Sequence, residues 1–304
     1  MAKLRRNHAR RGGAAAGGTI VKVGVFAAIL GGLVWGFRTW SEGAGTQEPA
    51  PVEYSGENYY LPRGTRGEVI DHGGFVLSYN EDWEQAEWVA YVLTRDHLQR
   101  EWTERRDNFR EDPAVGTGSA TDADYRGSGY DRGHLAPFAD FAWDPELADR
   151  TFYLSNVSPQ ARQFNQGIWR ELEELTRDWA NRFERLYVIT GPVTTEPPKY
   201  HIGRDNRVAV PRAYFKVLLD LDQPEQKGIG FIIPNEISFD PLPEFAVSID
   251  EVETRTGIDF FPDLMPEDLE AELESVGNPD FWPFSKKKYD RRVETWNQKK
   301  NNDD

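Results

Sequence analysis

Tyr130-Asp131-Arg132-Gly133-His134-Leu135-Ala136-Pro137 is the stretch whose reading decides this chain. It gathers a carboxylate, a guanidinium and an imidazole around one glycine. Gly133 permits a tight backbone or the close approach of another group. The imidazole of His134 can accept a proton from water near neutral pH, with its tautomer fixed by a carbonyl or carboxylate partner. Arg132 can hold a phosphate, or charge developing on one. Taken alone, the segment reads better as a buried polar cluster than as chemistry.

The residues downstream change that balance. Leu154-Ser155-Asn156-Val157-Ser158-Pro159-Gln160 leads into Phe164-Asn165-Gln166-Gly167-Ile168-Trp169-Arg170-Glu171-Leu172-Glu173. A helix beginning near Asn165 carries Asn165, Trp169 and Glu173 along one face at i, i+4 and i+8, so that a carboxamide oxygen and a carboxylate project to one side with Trp169 between them. Leu172, Leu175 and Trp179 form an adjoining apolar stripe. Singly, Asn165 reads as a helix cap and Glu173 as a surface acid. The five histidines (His8, His72, His97, His134 and His201) include no HxxxH or HxH pair, so a histidine-clustered zinc site is poorly supported. The absence of cysteine excludes disulfides, thiolate metal sites and cysteine nucleophiles.

Working outward, the sequence divides into a basic flank 1–18, a transmembrane signal anchor 19–40, a linker 41–57, a catalytic body 58–284 and a polar tail 285–304. Val23 to Phe37 is an uncharged apolar run; with Lys22 snorkelling, it approaches the ~20 residues that a bilayer span needs. The arginines from Arg5 to Arg11 put the N-terminus in the cytoplasm and the body outside. The alternative is a cleaved signal peptide and a secreted body. The tail, rich in lysine and arginine, reads as a solvated end rather than as a phosphate contact.

The net charge of −15 hides an asymmetry, since residues 1–40 hold seven basic residues and no acid, which leaves 29 basic and 51 acidic residues in the rest. Such a balance argues against nucleic acid as a partner. A few arginines with a metal ion can nevertheless make a positive site on an acidic protein. Strands are expected at Gly74–Tyr79, Glu87–Thr94, Thr151–Leu154, Leu186–Thr190, Ala213–Asp222 and Ile229–Pro234, from their β-branched and aromatic content. Helical patterns cover Gln166–Phe183, a turn starting near Ser248, and Pro266–Glu274. The expected class is α+β around a mainly antiparallel sheet.

The three motifs DRGHLAP (131–137), NVSPQ (156–160) and NQGIWRELE (165–173) resemble, in order and spacing, the signature of the ββα-metal, DNA/RNA non-specific endonuclease family. The resemblance extends over roughly residues 58–275. It implies an α+β fold of the ββα-metal (His-Me finger) type, a mainly antiparallel central sheet flanked by helices, to which the N-terminal transmembrane helix is added. It implies hydrolysis of phosphodiester bonds in DNA and RNA with little sequence preference, giving 5′-phosphate products. His134 is then the general base, Asn165 the sole direct protein ligand of a Mg²⁺ ion (Mn²⁺ the alternative), and Glu173 the group that orients metal-bound water and helps protonate the leaving group. Arg132 stabilises charge on the scissile phosphate, and Asn156 helps order the site. The family's upstream phosphate-binding arginine aligns with Asp107 here; Arg106, one residue earlier, is the expected substitute and Arg110 the other candidate. The family's cysteine pairs are absent.

Two other readings compete: a membrane-tethered nucleic-acid-binding protein with a degenerate nuclease fold, and a phosphodiesterase narrowed to another phosphoester. The sequence leaves monomer and homodimer open.

Overall fold

The β-branched and aromatic runs pair into one large sheet in the computed structural model, which describes residues 60–222 and 224–298. Its strands are β1 (Glu68–Asp71), β2 (Val76–Asn80), β3 (Gln85–Thr94), β6 (Arg185–Pro192), β9 (Ala213–Asp220), β10 (Lys227–Pro234) and β11 (Ala246–Val247). Their order is β1-β2-β3-β6-β9-β10-β11, antiparallel throughout. Two small antiparallel pairs stand apart from it: β4 (Tyr130–His134) with β5 (Val157–Ala161), and β7 (His201–Ile202) with β8 (Val208–Ala209).

The central strands are apolar on both faces because both faces are covered. Leu186 and Val188 join a core with Tyr91, Leu218 and Phe231 on one side of the sheet. Tyr187 and Ile189, one residue out of phase, join Trp88, Val217 and Leu219 on the other. This period of two is the strand geometry itself. Helix α1 (Arg170–Phe183) packs on the first face through Leu172, Leu175 and Trp179, each at most 1% exposed, so the expected stripe is buried. Truncating one such leucine costs roughly 2–5 kcal/mol. Helices α2 (Ile249–Thr256) and α3 (Glu267–Ser275) cover the second face through Ile249, Val252 and Leu273. Ser248 caps α2 by accepting from the Glu251 amide.

Three expectations need correcting. Thr151–Leu154 is not a strand: it leaves a short helix (Pro145–Arg150) and enters a 3₁₀ turn, with one parallel bridge from Tyr153 to Arg110. A short apolar run cannot reveal whether a partner strand lies beside it. The helix near Asn165 is not regular either. Phe164–Trp169 is a wide π-type turn with Gly167 at φ −107° and ψ −109°, and α1 begins only at Arg170. Trp169 therefore does not stand between Asn165 and Glu173; it is fully buried against Phe164 and Tyr214.

The third correction concerns the tail, whose described part, 285–298, is packed rather than solvated. Helix α4 (Lys286–Arg291) continues into a π-type turn, Arg292–Trp296. Arg292, fully buried, donates to Glu171 at 2.6 Å. Asn297 lies against Gly167, where a Cβ would meet its Oδ1 at 2.7 Å. The apolar run Val23–Phe37, the flank 1–18 and the linker 41–57 lie outside the described residues. Among the described residues no helix is long and apolar enough to cross a membrane.

Candidate active site

The strand pair β4–β5 and the turn that follows bring the three motifs together. Gly133 pairs with Ser158 and His134 with Val157. Gly133 is required by proximity: a Cβ there would meet the Gln160 side chain at 2.1 Å. Between the two strands the chain makes a long excursion, and Asn156, fully buried, closes it. Its Oδ1 accepts from the Ala136 amide at 2.9 Å, while its Nδ2 donates to the carbonyls of Ala136 (2.9 Å) and Thr151 (2.8 Å). Asn156 thus touches no solvent; it holds the backbone just after His134.

A cleft of about 700 Å³ opens beside this pair, lined by His134, Arg132, Asn165 and Glu173. These four expected site residues share one cavity. His134 sits between two aromatic rings, 5.3 Å from Phe109 and 5.1 Å, edge-on, from Phe152. Its Nε2 is sealed from solvent and has no hydrogen-bond partner among the described residues, which leaves Nδ1 as the nitrogen open to the cleft. Burial, reinforced by the charge of Arg105, pushes the imidazole down to about 3, so it is neutral at physiological pH.

Asp131 grips Asn165. Its Oδ2 accepts from Asn165 Nδ2 and from Gln166 Nε2, both at 3.0 Å. With the nitrogen end engaged, the carboxamide oxygen of Asn165 has no hydrogen bond among the described residues and is available as a ligand. Glu173, on the first turn of α1, accepts no hydrogen bond from a described residue. Burial pushes its carboxyl up to about 7, against the pull of Arg177 and Lys216. Lys216 is fully buried in β9, donates to Thr190 Oγ1 at 2.6 Å, and is itself brought down to about 8 by desolvation. Arg177 is held at 2.8 Å by Asp140, which also accepts from Tyr91 at 2.7 Å.

The upstream arginines face different cavities. Arg106 faces a separate cleft with Pro145, Asp149 and Phe152, and Arg110 is paired with Asp149 at 2.6 Å. Arg105 lines the main cleft instead, its guanidinium over the rings of Phe152 (5.3 Å) and Phe138 (5.7 Å). The segment 101–109 has no regular secondary structure, so no periodicity announces which side chain turns inward. Arg132 lies over Phe109 at 4.8 Å and is paired with Asp122.

Also missed were Arg170, Arg177 and, from the tail, Lys288, which pairs with Asp178 at 3.1 Å and Glu174 at 3.3 Å. With these the cleft carries five basic side chains against three acidic ones, on a chain of net charge −15. The local field, rather than the total charge, is what an anionic ligand meets. The oxygen donors Asn165 and Glu173 fit a hard cation that keeps most of its water.

Comparison with known proteins agrees with this geometry. Residues 55–267 match the model of the family described as DNA/RNA non-specific endonuclease. Mitochondrial endonuclease G of Homo sapiens is 38% identical over 203 residues, which cover 63% of this chain and 68% of that protein. Nuclease C1 of Cunninghamella echinulata var. echinulata is 37% identical over 216 residues, covering 66% and 85%. In three dimensions the chain is similar to EndoG as solved in the EndoG/EndoGI complex, with a TM-score of 0.62 and 30% identity, over 68% of this chain and 90% of that one. A match over most of the folded body, added to a cleft that unites the three motifs, makes this chain a member of the DNA/RNA non-specific endonuclease family, a hydrolase that acts as a nuclease.

Proposed function

We propose that this enzyme cleaves DNA and RNA with little sequence preference by a metal-assisted in-line hydrolysis, with His134 as general base and 5′-phosphate products. The observation that carries the reading is the convergence of His134, Asn165, Glu173, Arg132 and Arg105 on one basic cleft. A site that holds phosphate and sugar is tolerant of sequence.

In this mechanism His134 accepts a proton from the attacking water at the ring nitrogen open to the cleft. Its hydrophobic box keeps it neutral and fixes its ring plane. Arg132 and Arg105 hold the non-bridging oxygens of the scissile phosphate and offset the charge that grows on them. Asn165 would hold the metal ion through its carboxamide oxygen, oriented by Asp131, and Glu173 would hold water at that ion. The ion, Mg²⁺ with Mn²⁺ as the alternative, supplies charge stabilisation for the phosphorane-like transition state and for the leaving 3′-oxygen. Glu173, with its carboxyl near 7, is suited to return a proton to that oxygen. The apolar run Val23–Phe37 would anchor the enzyme with its catalytic body outside the cytoplasm.

The test is plasmid and single-stranded RNA cleavage by the full chain, wild type beside His134→Ala and Asn165→Ala, with Mg²⁺ and with EDTA. His134→Ala is expected to lose on the order of 10³-fold or more. Near-wild-type cleavage by that variant would remove the base from the mechanism.

A further inference from the structure

On the face of the sheet away from α1, α2 and α3 bring three carboxylates together. Asp250 and Glu253 lie one turn apart on α2, and Glu274 lies in the last turn of α3. One oxygen from each lies within 4.8 Å of the others. Glu274 is only 4% exposed. Its Oε1 is sealed from solvent and receives no hydrogen bond from any described residue.

Everything around that oxygen opposes a bare anion. The charges that act on Glu274 most strongly are all negative, from Glu253, Glu270, Asp250 and Asp259. Glu274 also sits at the C-terminal end of α3, the negative end of the helix dipole. Burial and these neighbours push its carboxyl up to about 9, and Glu253 up to about 7. Arg63, which acts on the adjoining Glu270, is already held by both oxygens of Asp263 at 2.6 and 2.7 Å. A buried acid with no donor, facing two more acids, is a grouping that a cation resolves.

We propose that Asp250, Glu253 and Glu274 bind a hard divalent cation, calcium by its size, which ties α2 to α3. Calcium takes oxygen ligands at about 2.3–2.6 Å, so oxygens across the ion stand roughly 4.6–5.2 Å apart and neighbours stand closer. Magnesium, at about 2.0–2.1 Å, needs a tighter set. The three residues run from exposed (Asp250) through half-buried (Glu253) to buried (Glu274), which gives the ion a path in and leaves room for water to complete its shell. Glu253 is pre-set, its Oε1 accepting from the Phe260 amide at 2.7 Å, which leaves Oε2 for the ion. The site lies across the sheet from the nuclease cleft, so its role is to stabilise the α2–α3 layer and it does not depend on the mechanism proposed above.

The experiment is calcium binding and thermal unfolding of the EDTA-treated full chain, titrated with CaCl₂. The wild type is compared with Asp250→Asn, Glu274→Gln and Asn165→Ala. At a calcium concentration about a hundredfold above the dissociation constant, the wild-type Tm should rise by roughly 5–10 °C. Asn165→Ala should keep that rise. Asp250→Asn, an exposed change that leaves the core alone, should weaken binding about tenfold or more, and Glu274→Gln should abolish the rise. Without calcium, Glu274→Gln should melt no lower than wild type, because the Glu274 carboxyl, pushed up to about 9, is already uncharged at neutral pH. The proposal is overturned by a wild-type Tm indifferent to calcium, or by a calcium shift that survives in both carboxylate variants.

Discussion

Replacing Arg105 by alanine, beside Arg106→Ala, tests the geometry of the cleft most directly. Arg105 lines the cavity and packs on Phe138 and Phe152, whereas Arg106 opens onto a different cleft. A charge-assisted hydrogen bond to a phosphate oxygen is worth about 1.5–3 kcal/mol, which corresponds to roughly 10- to 150-fold in kcat/KM. Arg105→Ala should lose that much, and Arg106→Ala should stay within about twofold of wild type. The Arg105 charge also helps hold the His134 imidazole down. Its loss lets that pKa rise, but burial is the larger cause and keeps His134 neutral at pH 7, so the loss of rate should not change across pH 6–8. The assay is kcat/KM on linear duplex DNA as a function of NaCl. Losing one phosphate contact should lower the log–log salt slope by about 0.7–0.9. Arg105→Lys should recover only part of the rate, because an ammonium lacks the planar fork. A loss in Arg106→Ala equal to or greater than that in Arg105→Ala would refute the assignment.

Three further expectations concern the groups behind the cleft. Asp131→Ala frees the Asn165 amide to rotate and should weaken the metal dependence, raising the Mg²⁺ midpoint about 10- to 100-fold with little change in Tm; an unaltered midpoint would make Asp131 a bystander. Lys216→Met removes a cation that lowers the Glu173 carboxyl, so that group should titrate above about 7 and, because its protonated form is the proton donor, the alkaline limb of the kcat profile should move to higher pH; a fixed limb would exclude Glu173 as the group it reports. Glu171→Gln breaks the buried pair with Arg292 and should cost about 3–5 kcal/mol by chemical denaturation, while Glu171→Met with Arg292→Met should recover much of it; a loss below 1 kcal/mol would mean that the tail does not brace α1.

The relation of fold to sequence follows from how far apart the interacting residues lie. Five strands of the large sheet were legible from their β-branched and aromatic content, though not β1 or β11, and α1 because Leu172, Leu175 and Trp179 recur at helical spacing. His134, Arg132, Asn165 and Glu173 were legible from three short motifs in a fixed order. Residue type, period and order are properties of the chain before it folds, and they sufficed for the family and for those four members of the cleft.

What only the tertiary structure decided depends on distant partners. No local rule turns Arg105 inward and Arg106 outward, because that segment has no period to read. Lys216 is one polar residue in an apolar strand until β9 lies beneath Glu173. The tail reads as a solvated end until Arg292 meets Glu171, 121 positions earlier, and Lys288 reaches the cleft. Asp131 becomes the grip on Asn165 only when β4 lies beside the turn that carries that residue. Charge and burial at a site are sums over neighbours in space, so the sequence by itself determined which chemistry this protein carries, and the fold decided which side chains surround it.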